Sequence, residues 1–161
     1  MLMLLSALAH ECGHILALRH FGYRVRRVDV LPFGAVIVVP EGLPYLCELV
    51  IALAGPAVSL LCSLLGCSLF FATKTPYALY FALINAVLGI FNLLPTAKLD
   101  GGKALASYLA QKNHPSAQKL CRCISLCAQS LFVALCALAI IASDLNLGVI
   151  LISVSLILQI V

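Results

Sequence analysis

The stretch SALAHECGHILALRHFG, residues 6–22, sets two histidines and a glutamate, His10, Glu11 and His14, inside a run that is otherwise apolar. On a helix, residues four apart leave the same face one turn apart, so the two imidazoles can reach a single metal ion. Glu11 lies beside them, about 100 degrees around the helix from His10. The order H-E-x-x-H is the arrangement in which two neutral imidazoles bind zinc and the glutamate takes a proton from water at the metal. The alternatives are a chance match and histidines that merely bond across helices. In a membrane span such groups cost on the order of several kcal/mol unless they bind something or line a wet cavity, which favours the metal.

The surrounding composition makes the span reading necessary. Of 161 residues, 63% are hydrophobic and 10% charged, and the mean hydropathy is +1.13. A soluble domain does not carry that balance. Since a bilayer core takes about 20 residues of helix, the apolar runs predict an all-α polytopic membrane protein with about five transmembrane helices. Their expected limits are residues 1–20, 46–73, 76–97, 120–143 and 145–161. A small membrane-associated β-hairpin is expected over 24–40, after the first span. A cleaved signal peptide over the first 18 residues is the rival reading, but it has no basic n-region and carries the charged cluster where cleavage is expected.

Alternating spans put Arg19, Arg24, Arg26, Arg27, Lys98, Lys103, Lys112, Lys119 and Arg122 on one side and Lys74 alone on the other. That asymmetry predicts a multi-pass protein of the cell membrane with the site toward the cytosol. The net charge of +4 then reads as topology; no basic run is interleaved with aromatics, so no nucleic-acid partner is expected. The eight cysteines lie mostly within or at the ends of apolar spans, where cysteine packs as a small hydrophobe. Cys121, Cys123 and Cys127 leave a soft-metal site as a minor alternative.

Two further stretches bear on the chemistry. YRVRRVDVLPFGAVIVVPEG, residues 23–42, is rich in β-branched residues and punctuated by Pro32, Gly34 and Pro40, which is hairpin chemistry. Its second half, FGAVIVV, includes Phe33, Gly34 and Val36 and is expected to hold an extended substrate by main-chain pairing. In the third span Pro95 should break the helix, after which Asp100 arrives in an irregular segment with Gly101 and Gly102 behind it, permitting a close backbone approach. A catalytic zinc takes three protein ligands and leaves one position open. Asp100 is the best candidate for the third; the alternative is a loop aspartate capping a helix that begins at Lys103. Gly55 and Pro56 are read as allowing close packing against the HECGH helix. Asp29 and Glu48 are read as answering nearby arginines or water.

The chain resembles the site-2 protease family of intramembrane zinc metalloproteases, peptidase family M50, and most of all the sporulation branch whose stage IV protease processes a pro-sigma factor. The residues that carry the resemblance are HECGH at 10–14, RVRRVDVLPFG at 24–34, AGP at 54–56 and NLLPTAKLDGGK at 92–103. The resemblance implies one Zn2+ per chain held by His10, His14 and Asp100, with Glu11 as the catalytic residue. It also implies membrane-inserted strands over 24–40, and a substrate-side unwound segment shaped by Asn92 and Pro95. Lys98 stands where the family often has proline. The sporulation branch commonly adds a preceding span and a nucleotide-sensing CBS domain; the expectation here is a single membrane-embedded domain over residues 1–161, with no CBS or PDZ domain.

The expected function is an intramembrane zinc endopeptidase acting on transmembrane or membrane-associated protein segments in the lipid bilayer, with a regulatory membrane partner. Two rivals come from other classes. A metal transporter should spread acids and histidines along a path through several spans, and here they sit at one level. A catalytically inactive scaffold would usually have lost Glu11 or a ligand.

Overall fold

Two of the prolines stand at helix starts, where a missing amide matters least. Pro44 stands immediately before one helix and Pro76 opens the next, positions whose N–H has no helical partner in any case. The computed structural model describes residues 1–24, 27–31, 34–38, 42–112, 116–142 and 154. In chain order they form α1 (Leu2–His20), β1 (Arg27–Leu31), β2 (Gly34–Val38), α2 (Tyr45–Thr73), α3 (Pro76–Asn92), α4 (Asp100–Gln111) and α5 (Ala117–Ala142). Between α2 and α3, Lys74 takes the left-handed conformation at φ 56°, which ends α2 on an amide-to-Phe70 carbonyl bond.

α2 is the centre of the bundle and packs against α1, α3 and α4, while α1 also touches α3. Small residues set the spacing: a Cβ on Gly13 of α1 would stand 2.7 Å from the Ala54 carbonyl, and one on Gly66 of α2 would stand 3.0 Å from Ala82. Only a bare backbone allows that approach. α5 rests on α4, and its Phe132 meets Phe91 of α3 with ring centroids 5.7 Å apart.

The distribution of polarity is the reverse of a water-soluble protein. Ser6, His10, His14, Ser59, Asn85 and Asp100 are buried, whereas Leu4, Leu8, Leu64, Leu65, Leu83 and Leu138 are exposed. The apolar core proper is small, centred on Leu18, Leu43 and Ile51. An apolar exterior around a polar interior is what a lipid solvent selects, because leucine gains nothing by leaving hydrocarbon.

The expectation of about five spans is corrected. Among the described residues two helices, Tyr45–Thr73 and Ala117–Leu138, are long and apolar enough to cross a bilayer, and Pro76–Asn92 is a shorter apolar helix. α1 has the length, but His10, Glu11 and His14 dilute its apolar character. The third helix ends at Asn92 rather than 97, because Pro95 has no amide to continue it. The expected span at 145–161 lies outside the described residues apart from 154. α4 occupies 100–111, so the helix considered from Lys103 begins three residues earlier and takes in Asp100 and both glycines instead of leaving them in irregular chain.

The strands are five residues each, antiparallel, with Leu31 opposite Gly34 and Asp29 opposite Val36. With only two residues between them, Leu31 and Gly34 are a hydrogen-bonded pair, and alternation makes Asp29 and Val36 another. The amides and carbonyls of Ala35 and Ile37 therefore point away from β1, along the other edge of β2. Among the described residues no third strand pairs with that edge. β2 itself lies against α1.

Candidate metal centre

α1 presents His10 and His14 on its buried face, and the start of α4 brings Asp100 against them. Asp100 reaches that depth because α4 begins on two glycines. A Cβ on Gly101 would collide with the Leu93 carbonyl, and one on Gly102 with the Thr96 carbonyl. The unwound chain from 93 to 99 thus lies directly on the first turn of α4.

The three side chains converge on one point. His10 Nε2 is 3.0 Å and His14 Nε2 3.1 Å from the same Asp100 oxygen, Oδ2, and the two Nε2 atoms are 3.2 Å apart. The rings stand edge to face, centroids 4.9 Å apart. Each outer ring nitrogen is tied to α2: His14 Nδ1 to the Ile51 carbonyl at 2.7 Å, and His10 Nδ1 to Ser59 Oγ at 2.9 Å. A carbonyl only accepts, so His14 carries a proton on Nδ1; in the neutral form of the ring that leaves the Nε2 lone pair facing the carboxylate, as a metal ligand needs. Lone pairs on two such atoms repel unless a proton or a cation stands between them.

Zinc fits this donor set. Nitrogen and oxygen ligands about 2.0–2.1 Å from a tetrahedral zinc stand about 3.3 Å apart, with a fourth position free. The three separations observed, 3.0, 3.1 and 3.2 Å, match that face within a few tenths of an ångström. The space is kept open by Gly55 of α2, where a Cβ would stand 2.8 Å from His10 Nε2 and still closer to His14 Nε2. Among the described residues this is the cluster of histidine, cysteine and acidic side chains able to hold a metal ion.

Glu11 is half-buried next to the cluster, within electrostatic reach of His10, His14, Asp100 and Lys103. The remaining Asp100 oxygen, Oδ1, accepts from Lys103 Nζ at 3.2 Å, one turn along α4. Of the other residues singled out in the sequence, Pro95 sits in the unwound segment after α3 and Gly101 lies under the Leu93 carbonyl. The Asn92 amide bonds within its own helix, to the Leu88 carbonyl at 3.0 Å. Gly34 and Val36 lie in β2, and Phe33 lies outside the described residues. Glu48 accepts from Ser107 of α4 at 3.0 Å.

Sequence reasoning missed the contribution of α2. Ile51, Gly55 and Ser59 recur every four residues and so share one helical face, the one turned to the two histidines. Gly55 was expected to pack against the HECGH helix, but Ile51 and Ser59, one turn to either side on the same face, drew no separate reading.

Comparison with known proteins places this geometry. Residues 1–76 and 72–135 match the model of peptidase family M50. A zinc metalloprotease of Methanocaldococcus jannaschii is 34% identical over 116 residues, covering 69% of this chain and 34% of that protein. Stage IV sporulation protein FB of Bacillus subtilis is 32% identical over 142 residues, covering 81% of this chain and 49% of that one. The chain thus spans about a third to a half of the length of these relatives. The solved structure of a site-2 protease from Methanocaldococcus jannaschii superposes with a TM-score of 0.67 at 25% identity, covering 98% of this chain and 73% of that chain. With relatives that are zinc metalloproteases and a donor set that fits the ion, the cofactor is zinc, in a membrane protein. A family match running across most of the chain, and a fold shared with a solved site-2 protease, lead to one conclusion: the chain belongs to peptidase family M50.

Proposed function

We propose that this chain is the membrane-embedded core of an intramembrane zinc endopeptidase, binding one zinc through His10, His14 and Asp100 and using Glu11 as its proton carrier. The observation that carries the reading is the convergence of His10 Nε2, His14 Nε2 and Asp100 Oδ2 within 3.2 Å of one another, beside a half-buried glutamate. When bound, zinc supplies Lewis acidity to a water molecule and to the scissile carbonyl. Glu11 takes a proton from the water whose oxygen attacks the carbonyl carbon. As the C–N bond breaks, Glu11 delivers that proton to the leaving amine nitrogen. Lys103 neutralises the outer oxygen of Asp100, which keeps Oδ2 directed inward.

The substrate class is a transmembrane or membrane-proximal protein segment. A helical substrate hides its peptide bonds in its own hydrogen bonds and must be extended before it is cut. The outer edge of β2, with the main-chain groups of Ala35 and Ile37, offers it a strand partner close to α1. Similarity to stage IV sporulation protein FB supports a role in sporulation. The basic residues near the ends of α1, α3 and α4 and the start of α5, against Lys74 alone at the far turn, support a multi-pass arrangement with the site on the cytosolic side.

The test is Glu11→Gln in purified protein, assayed against a panel of single-span substrates in detergent or liposomes. The amide keeps the shape but cannot take up a proton, so cleavage falls about a hundredfold or more while zinc content stays near one per chain. Undiminished turnover in this variant removes the protease assignment to Glu11.

A further inference from the structure

The two imidazoles are held from opposite ends of one stretch of α2. Ile51 and Ser59 are eight residues apart, about 12 Å along the helix axis, and each takes the outer nitrogen of one ring. The inner nitrogens of both rings meet over Gly55, midway between. The two holds differ in kind. His14 is fixed by a main-chain carbonyl, an acceptor that no side-chain change removes. His10 is fixed by a single hydroxyl, on a serine with 0% exposure.

We infer that Ser59 is a positioning residue for the metal centre, accepting the Nδ1–H of His10 so that the Nε2 lone pair is presented to the ion. The inference rests on the ligand roles proposed above. An imidazole has two nitrogens and one proton, and whichever partner occupies the outer nitrogen decides what the inner one offers. A hydroxyl can serve as acceptor there, and this one is buried and 2.9 Å from Nδ1. Ser59 touches neither substrate nor the reacting atoms; it acts through His10. Alanine at 59 leaves the fold its backbone and a small void, yet leaves the Nδ1–H of His10 buried without a partner.

The experiment is zinc competition against a chromophoric chelator in detergent micelles, run on the unaltered chain, Ser59→Ala and His10→Ala. The unfolding midpoint of each chain without metal is measured alongside, as is the visible spectrum of each chain saturated with Co2+. Ser59→Ala is expected to weaken zinc by about ten- to a hundredfold, to change the cobalt spectrum as the His10 ring is freed to turn, and to leave the metal-free midpoint near that of the unaltered chain. Unchanged affinity and spectrum in Ser59→Ala overturn the inference, and so does a loss of affinity matched by an equal fall in metal-free stability. Unchanged zinc in His10→Ala instead overturns the ligand assignment on which the inference depends, so the two failures are distinct.

Discussion

Gly55→Ala puts the geometry of the centre under direct strain. The added Cβ would stand 2.8 Å from His10 Nε2, and ordinary contact begins at 3.4 Å, so that ring has to retreat by about 0.6 Å and the His14 ring by more. Neither has room to do so freely, because each outer nitrogen is already bonded to α2, at 2.9 Å for His10 and 2.7 Å for His14. Ligand positions in a working metal site tolerate about 0.2 Å; the forced displacement is roughly three times that. Altering an outer partner of a ligand typically weakens a metal by about ten- to a hundredfold, and displacing two ligands should exceed that range. We expect zinc to bind at least about a hundredfold more weakly, equivalent to about 2.7 kcal/mol. Overpacking adds a destabilisation of the metal-free fold of about 1–3 kcal/mol. Chelator competition reads the first quantity and unfolding of the metal-free protein, followed by helical circular dichroism, reads the second. Native zinc affinity in Gly55→Ala would refute the reasoning, since it would show that the space over Gly55 is not where the three ligand atoms need it.

Other perturbations address the remaining assignments. Asp100→Ala should lose zinc at limiting metal, because two imidazoles alone hold it far more weakly; undiminished occupancy would take Asp100 out of the site. Ile37→Pro removes an outward-facing amide of β2 without touching the pairing to β1, so it should slow cleavage of long substrates while leaving zinc content intact. Val36→Pro should instead disrupt the ladder at its Asp29 pair, and equal effects of the two prolines would argue against the edge as the substrate's partner. A single reporter cysteine at Lys112, with the native cysteines removed, should be labelled from the cytosolic side, and labelling from the external face alone would invert the orientation.

The parts of the site legible in the sequence are those where chemistry is unusual for its surroundings. His10, His14 and Asp100 are ionisable groups in an apolar chain, and the cost of leaving them unpartnered pointed to a common destination, where the fold indeed brings them together. Pro95 likewise marked the end of α3 by a local rule. What stayed hidden depends on contacts between distant segments. Gly101 and Gly102 are poor helix formers, so the start of α4 at Asp100 was not visible; glycine stands at both positions because the carbonyls of Leu93 and Thr96 occupy the space of any side chain. Gly55 was read as packing, yet the atoms it makes room for are the candidate ligands. The edge positions of β2 depended on a register that alternation alone could not supply, and the register moved them from Val36 to Ala35 and Ile37. The number of spans was overestimated because Pro95 shortens α3 and the HECGH residues dilute α1, while the run at 145–161 lies outside the described residues apart from 154.

The main-chain hold on His14 has a consequence for genetics. Any residue at position 51 supplies the same carbonyl, so an alanine scan along α2 would record Ile51 only as a packing residue beside Leu18 and Leu43. The same scan would pick out Ser59, whose oxygen belongs to its side chain. Half of the scaffold that aims these rings is thus silent to side-chain mutagenesis. It would be exposed only by altering the backbone itself, for example with an ester in place of an amide near that turn.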